Sequence, residues 1–284
     1  MKLVSFKTSV ESSFGLIENE IIFDLKKFYN KKYLNLKDFI CSEDFLNLEK
    51  LKESFQSDYE STDVVFEPVI TNPDHIICVG LNYKTHVDEV NEVGSLFPLV
   101  FLRTPQSQVG HNGNIVCPTE SNHIDYEGEI AVIISKDGRR IAEKDAKNYI
   151  AGFAIYNDAS IRDWQLHNSQ WIPGKNFPNT GAFGPWMTTY DAINHNEPFE
   201  LITKVNGEVK QKTTSNLLIH SVDKLISYIS TFLNLRAGDV IVTGTPGGVG
   251  FAKKPPEYLK DGDEIEVSVS QLGVLINKIK YESK

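Results

Sequence analysis

The sequence predicts an α+β fold that is predominantly β. Three observations carry this expectation. Short apolar runs of strand length outnumber stretches with helical spacing. Asn206-Gly207 lies between two such runs, and Asn-Gly suits the positive φ angles of a tight hairpin turn. Strands and helices do not alternate regularly, which disfavours a doubly wound parallel sheet.

The elements follow in order. Residues 1–70 read as a small N-terminal α/β domain and residues 71–284 as a larger second one. Val4 to Phe6, Phe14 to Ile17 and Ile21 to Phe23 are short strands separated by polar turns. Leu34 to Phe66 is richer in Lys, Glu, Asp and Ser and reads as an amphipathic helix with a connection. Pro68 and Pro73 bracket a linker, because proline restricts itself and its predecessor. Ile76 to Gly80 is a buried strand, Tyr83 to Val93 has helical spacing, and Val100 to Leu102 is a strand again.

Ile130 to Ile134 and Ala151 to Tyr156 are continuous apolar runs, the pattern of strands covered on both faces. Residues 159–186 form a long segment rich in Trp, Gln, Asn, Gly and Pro, and its stretch Trp164 to Trp186 is expected to shape a pocket. Ser221 is placed to cap a helix presenting Val222, Leu225, Ile226, Ile229, Phe232 and Leu233 on one face. Val240 to Val242, Glu264 to Val269 and Val274 to Ile279 complete the strands.

With 284 residues and a 40% hydrophobic fraction, the chain can bury a substantial core. A net charge of −9 argues against a nucleic-acid backbone or an anionic membrane as a partner. Cys41, Cys78 and Cys117 are scattered, with no CxxC pair, which favours a reducing compartment over a disulfide framework. The first residues contain no apolar signal-peptide core, and no run approaches membrane-spanning length, so a cytoplasmic location is expected.

Chemistry concentrates in four places. Asp125-Tyr126-Glu127-Gly128-Glu129 leads into one buried strand, and Asp158 ends another. Alternation points Glu127 and Glu129 the same way. Adjacent carboxylates at the edge of an apolar sheet repel, and a cation between them offsets that cost. Oxygen-only donors suit Mg²⁺, Mn²⁺ or Ca²⁺. The same spacing also fits a solvated strand face shared with Asp125, and Asp158 also fits a turn or cap.

His86 and Glu89 are three apart, so on a helix they are neighbours. A carboxylate-paired His suits water activation, although the spacing equally fits a surface ion pair. Lys175, in Pro173-Gly174-Lys175, has no phosphate-loop context and reads as solvated or substrate-facing. Thr243-Gly244-Thr245-Pro246-Gly247-Gly248-Val249-Gly250 follows a strand, and its free N–H groups suit a carboxylate, with a merely structural turn as the alternative.

Taken in order, these runs resemble the fumarylacetoacetate hydrolase family over residues 75–280. The matching pieces are Gly80-Leu81-Asn82-Tyr83 with His86 and Glu89, Asp125 to Glu129, Asn157-Asp158 with Arg162-Asp163-Trp164-Gln165, Gly174-Lys175, and Thr243 to Gly250. The resemblance implies a mixed β-sandwich roll, a homodimer, and Mg²⁺, Mn²⁺ or Ca²⁺ held by Glu127, Glu129 and Asp158. It implies catalytic roles for His86, Glu89 and Lys175, with the first two on a lid that orders when substrate binds. Arg162, Gln165 and Thr245 fall at substrate-binding positions, Arg162 organising the acids. The implied activity is metal-dependent hydrolysis of a C–C bond in a 2,4-dioxo acid, an acylpyruvate or diketo-deoxy sugar acid, through an enolate held at the ion. The alternative is a 2-oxo acid decarboxylase or keto–enol isomerase.

Overall fold

Gly128–Ile134 and Ile150–Asn157 are buried at every residue, as their unbroken apolar runs require. Alternation divides each strand between two cores. Ile130, Val132, Ile134, Phe153 and Ile155 join one apolar cluster, while Ala131, Ile133, Ala154 and Tyr156 join another. These two strands are the middle of the molecule. The computed structural model describes residues 1–50, 56–90 and 95–283.

Among the described residues, the larger sheet has 12 strands. Its path runs Tyr59–Glu60, Ile21–Asp24, Ser12–Glu18, Lys2–Lys7, Gly181–Thr189, Ile150–Asn157, Gly128–Ile134, Val240–Val242, Ile76–Gly80, Leu99–Arg103. Val65–Phe66 and Gln108–Val109 pair off this path. A five-stranded sheet, ordered Glu208–Thr214, Glu200–Val205, Glu264–Val269, Gly273–Tyr281, Asn114–Cys117, packs against it through Leu201, Val267 and Leu275. Pairing is mixed: Val240–Val242 runs parallel to Ile76–Gly80, and Gly273–Tyr281 parallel to Asn114–Cys117. The helix Val222–Phe232 buries Leu225, Ile226 and Ile229 in the same core. Among the described residues no helix is long and apolar enough to cross a membrane.

Residues 1–66 contribute strands to the larger sheet, joined to the rest where Lys2 pairs with Thr188 and Leu3 with Met187. In place of one amphipathic helix after Leu34, there are short helices Leu36–Ile40 and Glu43–Leu46, capped by the Asn35 and Ser42 side chains. The remainder of that expected helix includes residues 51–55, which lie outside the described residues. The helix expected from Tyr83 to Val93 is observed as Lys84–Glu89, and residues 91–94 lie outside the described residues.

Two local expectations hold in detail. Asn206 and Gly207 take φ of 50° and 81°, closing the hairpin between Glu200–Val205 and Glu208–Thr214. Ser221 accepts the Lys224 N–H as an N-cap. One apolar position departs: Phe232 stays 56% exposed and packs edge-on against Tyr228.

Candidate metal and active site

Strand register brings the acids together. Gly128 pairs with Asn157, so Glu127 and Asp158 follow one another across the ends of two antiparallel strands. The junction is tied by Asp158 N–H donating to the Glu127 carbonyl at 2.9 Å and Glu127 N–H donating to Asn157 Oδ1 at 3.0 Å. Carboxylate oxygens of Glu127, Glu129 and Asp158 lie within 4.8 Å of one another. All three residues are buried. The solvated strand face is therefore not what forms.

Asp125 parts company with them. It lies on the separate short strand Ile124–Asp125 and is fully engaged elsewhere. Its carboxylate accepts from the N–H groups of Tyr126, Gly250 and Phe251 and from Arg162 Nε, at 2.8–3.0 Å. It is an anchor for the loop and for Arg162.

Three cations balance this acid cluster. Lys175, far from solvated, is 1% exposed, and its Nζ bonds Glu127 Oε2 at 2.7 Å and Asp158 Oδ2 at 2.6 Å. Arg162 meets Glu127 Oε1 at 2.6 Å and also donates to Gln165 Oε1 at 2.8 Å. Its guanidinium stacks 4.5 Å from the Phe251 ring. Arg103 meets Asp158 Oδ1 at 2.6 Å.

Among the described residues, no cation pairs with Glu129 directly. Its Oε2 accepts the Gly244 N–H at 2.5 Å. Burial pushes its carboxyl well above the usual range, and neighbouring Asp158 and Glu127 push it further. Burial also raises Glu127, but Lys175 and Arg162 outweigh it and hold that carboxyl at about 2. Glu129 is thus the acid short of positive charge.

The donor set fits a divalent ion. Metal–oxygen distances of roughly 2.0–2.6 Å allow ligand oxygens up to about 4–5 Å apart, and the three acids meet that limit. All-oxygen ligands suit a hard cation. Such an ion would also supply the charge that Glu129 lacks.

The acids open into a cavity of about 260 Å³. Lys175, Arg162, Gln165, His86 and Thr245 line it on the polar side, and Leu81, Phe101, Trp171 and Phe251 on the apolar side. Leu81 adopts φ +55°, an uncommon conformation for a branched side chain. Its neighbour Asn82 clamps two segments, donating to the Thr243 carbonyl at 2.8 Å and the His220 carbonyl at 3.0 Å. Larger hollows, two of about 570 Å³ and one of about 390 Å³, lie elsewhere, and none of these holds a candidate metal-ligand cluster among the described residues.

His86 and Glu89 are not a surface pair. His86 is 6% exposed, and its Nδ1 lies 3.3 Å from Glu89 Oε1. The glycine turn reaches this helix: Gly248 N–H donates to Glu89 Oε2 at 2.6 Å, and Gly247 N–H to Thr85 Oγ1 at 3.2 Å. The turn does bind carboxylates through its N–H groups, but they are the protein's own: Gly244 holds Glu129, Gly248 holds Glu89 and Gly250 holds Asp125. Thr245 lines the cavity, yet its hydroxyl donates to the Gly128 carbonyl at 3.1 Å and accepts from Gln211 Nε2 at 2.8 Å.

All nine residues singled out from the sequence meet at this cavity or in direct contact with a group lining it. Arg103 and Gln211 were not foreseen. Arg103 carried a usable signal, an ionisable residue ending an apolar strand, as Asp158 follows one. Gln211 carried none, since its partners are brought to it from distant segments.

The family profile described as fumarylacetoacetate (FAA) hydrolase C-terminal matches residues 75–280. The chain belongs to the fumarylacetoacetate hydrolase family. Within that family, a mitochondrial oxaloacetate tautomerase of Rattus norvegicus is 41% identical over 219 residues, 77% of this chain and 70% of that protein. The solved fumarylacetoacetate hydrolase of psychrophilic Exiguobacterium antarcticum is 31% identical with a TM-score of 0.83, covering 99% of this chain and 100% of that one. A 5-carboxymethyl-2-hydroxymuconate delta-isomerase from Mycobacterium smegmatis is 27% identical with a TM-score of 0.78, covering 100% of both. The fumarylacetoacetate hydrolase fold is the α+β, predominantly β architecture expected from the sequence. Family membership makes this chain an enzyme of a group whose named members include a tautomerase, a hydrolase and an isomerase.

Proposed function

We propose that this enzyme interconverts the keto and enol forms of a small 2-oxo dicarboxylate of the oxaloacetate kind, with Mg²⁺, Mn²⁺ or Ca²⁺ held by Glu127, Glu129 and Asp158. The observation that carries the reading is the buried triad of carboxylates opening into a cavity of about 260 Å³ that His86 also lines. A cavity of that size suits a few-carbon acid better than a drug-sized ligand. The name of the rat relative supports the choice of tautomerisation.

A divalent cation at this site supplies Lewis acidity, polarising the 2-oxo group and favouring the enolate. The chain's own groups do the rest. With Nδ1–H directed at Glu89, His86 presents Nε2 as a base of fixed tautomer. It takes a proton from the carbon beside the keto group, and the proton returns on oxygen, so the tautomers differ by one proton transfer and no heavy-atom bond breaks. Lys175 stabilises developing charge on the oxygen. Gln165 gives its Oε1 to Arg162, which leaves its amide N–H groups for a substrate carboxylate.

A second reading is favoured by the buried His86–Glu89 pair. The same base would take a proton from water, the resulting hydroxide would attack the distal carbonyl of an acylpyruvate, and the C–C bond would break with departure of an enolate. The proposal includes a homodimer acting in the cytoplasm, with no nucleic-acid or membrane partner.

The test is a substrate series with Mg²⁺ or Mn²⁺. Oxaloacetate enol loss is followed by absorbance, and acylpyruvates, diketo-deoxy sugar acids and oxaloacetate by product mass. Tautomerisation changes absorbance without fragments, hydrolysis yields two acids, and decarboxylation releases CO₂. Asp158→Ala and Glu129→Gln are expected to lose both activity and bound metal. Full metal occupancy and unchanged turnover in both variants would end the proposal.

A further inference from the structure

We infer that Arg103 is a positioning residue for the candidate metal centre, fixing Asp158 so that one carboxylate oxygen is held away from the cavity and the other is presented to it. The inference rests on the metal reading above. Asp158 Oδ1 accepts from Arg103 NH1 at 2.6 Å, while Asp158 Oδ2 meets Lys175, which lines the cavity. Asp158 and Lys175 line the cavity, and Arg103 does not.

The guanidinium is built in. Arg103 is 3% exposed, and its remaining N–H groups donate to the Ala159 carbonyl at 3.0 Å, Thr180 Oγ1 at 2.7 Å and Ser107 Oγ at 3.3 Å. Thr180 is held in turn by donating to the Phe177 carbonyl at 2.7 Å. Space is kept open as well, since a Cβ at Gly181 would stand 2.9 Å from the guanidinium carbon. A planar fork with fixed partners orients a carboxylate in a way that a flexible ammonium does not.

Two effects of opposite sign act on the metal. The positive charge of Arg103 repels a divalent ion, which by itself weakens binding. Its hold on Asp158 removes the cost of ordering that carboxylate, which strengthens binding. Partners of metal-ligating groups typically contribute a 10–100-fold gain in affinity. Because Asp158 already neutralises Arg103 at contact distance, orientation is expected to win.

The experiment measures Mn²⁺ binding to the metal-stripped protein by titration calorimetry, with electron paramagnetic resonance reporting the Mn²⁺ environment. Wild type, Arg103→Met, Arg103→Lys and Gly181→Ala are compared, each checked for folding by circular dichroism. Arg103→Met should weaken Mn²⁺ binding about 10–100-fold and change the resonance line shape. Arg103→Lys, which keeps the charge and loses the fork, should recover only part of that loss. Gly181→Ala keeps every charge and displaces the guanidinium, so it should also weaken binding, and it tests the idea if Arg103→Met does not fold. Unchanged or tighter binding in the folded variants overturns the positioning role while the metal reading stands. Wild type that binds no Mn²⁺ removes the metal reading, and the role of Arg103 with it.

Discussion

Gly248 donates its backbone N–H to Glu89 at 2.6 Å, which ties the glycine turn to the helix that carries His86. Gly248 has φ +105°, and a Cβ there would stand 2.1 Å from the Lys210 carbonyl oxygen. Only glycine lets the turn reach Glu89 in this conformation. The other oxygen of Glu89 is the one His86 meets. Through Glu89, this backbone turn therefore helps to set the orientation of the base.

Glu89→Gln should consequently lower kcat by on the order of 10²-fold, the lower range for general-base catalysis, without altering Mn²⁺ affinity. Gly248→Ala should show the same pattern together with a lower melting temperature. Steady-state kinetics beside metal titration checks this, and a wild-type kcat in both variants would show that the base lies elsewhere.

Lys175 bridges Glu127 and Asp158 while itself buried. Removing one partner of a buried ion pair typically costs about 3–5 kcal/mol, because a charge is left uncompensated. Lys175→Met should destabilise the metal-stripped protein by roughly that amount. Mn²⁺ should then stabilise the variant more than it stabilises wild type, since an ion replaces lost positive charge. Urea unfolding with and without Mn²⁺ measures both effects. An equal Mn²⁺ effect on the two proteins would mean that lysine and ion do not share these carboxylates.

Gly80 faces Trp171 so closely that a Cβ would stand 2.3 Å from the indole ring. The indole also packs 5.5 Å from the Phe101 ring on the apolar side of the cavity. Gly80→Ala should push Trp171 out, raising KM more than it lowers kcat and shifting tryptophan emission to longer wavelength. Overpacking of this kind costs about 1–3 kcal/mol. An unshifted emission spectrum with unchanged KM would show that the indole does not shape the substrate site.

His111 carries a pH dependence of its own, away from the acids. Burial lowers its imidazole to about 4, and the neutral Nδ1 accepts the Ile276 N–H at 3.1 Å. The folded pKa lies below the unfolded value of about 6.5, so the unfolded chain binds the proton first. Its contribution is intact above pH 6.5 and is lost as pH falls toward 4, at most about 3 kcal/mol in full. His111→Gln should flatten the stability profile of the metal-stripped protein across that window. A profile as steep as wild type would place the acid sensitivity in other groups.

Much of this was legible along the chain. The two-faced burial of Gly128–Ile134 and Ile150–Asn157, the Asn206-Gly207 turn and the Ser221 cap are written in patterns of a few residues, because alternation, positive φ and capping are local rules. The acids Glu127, Glu129 and Asp158 stood out for the same reason, as ionisable groups abutting apolar strands. The spacing of His86 and Glu89 likewise placed them side by side.

What spacing could not decide was which charges meet. Asp125 read as a companion of Glu127 and became instead the anchor of Arg162 and the 250–251 loop. Lys175 read as solvated or substrate-facing and lies buried between two acids. Arg103 drew no notice and holds Asp158 across a separation of 55 residues. The chain alone determined the strands, the turns and the inventory of acids, since those depend on neighbours in sequence. Only the packed sheets decided how charges pair, because burial and ion pairing depend on distances between segments remote in sequence, and those distances exist only once the strands are in register.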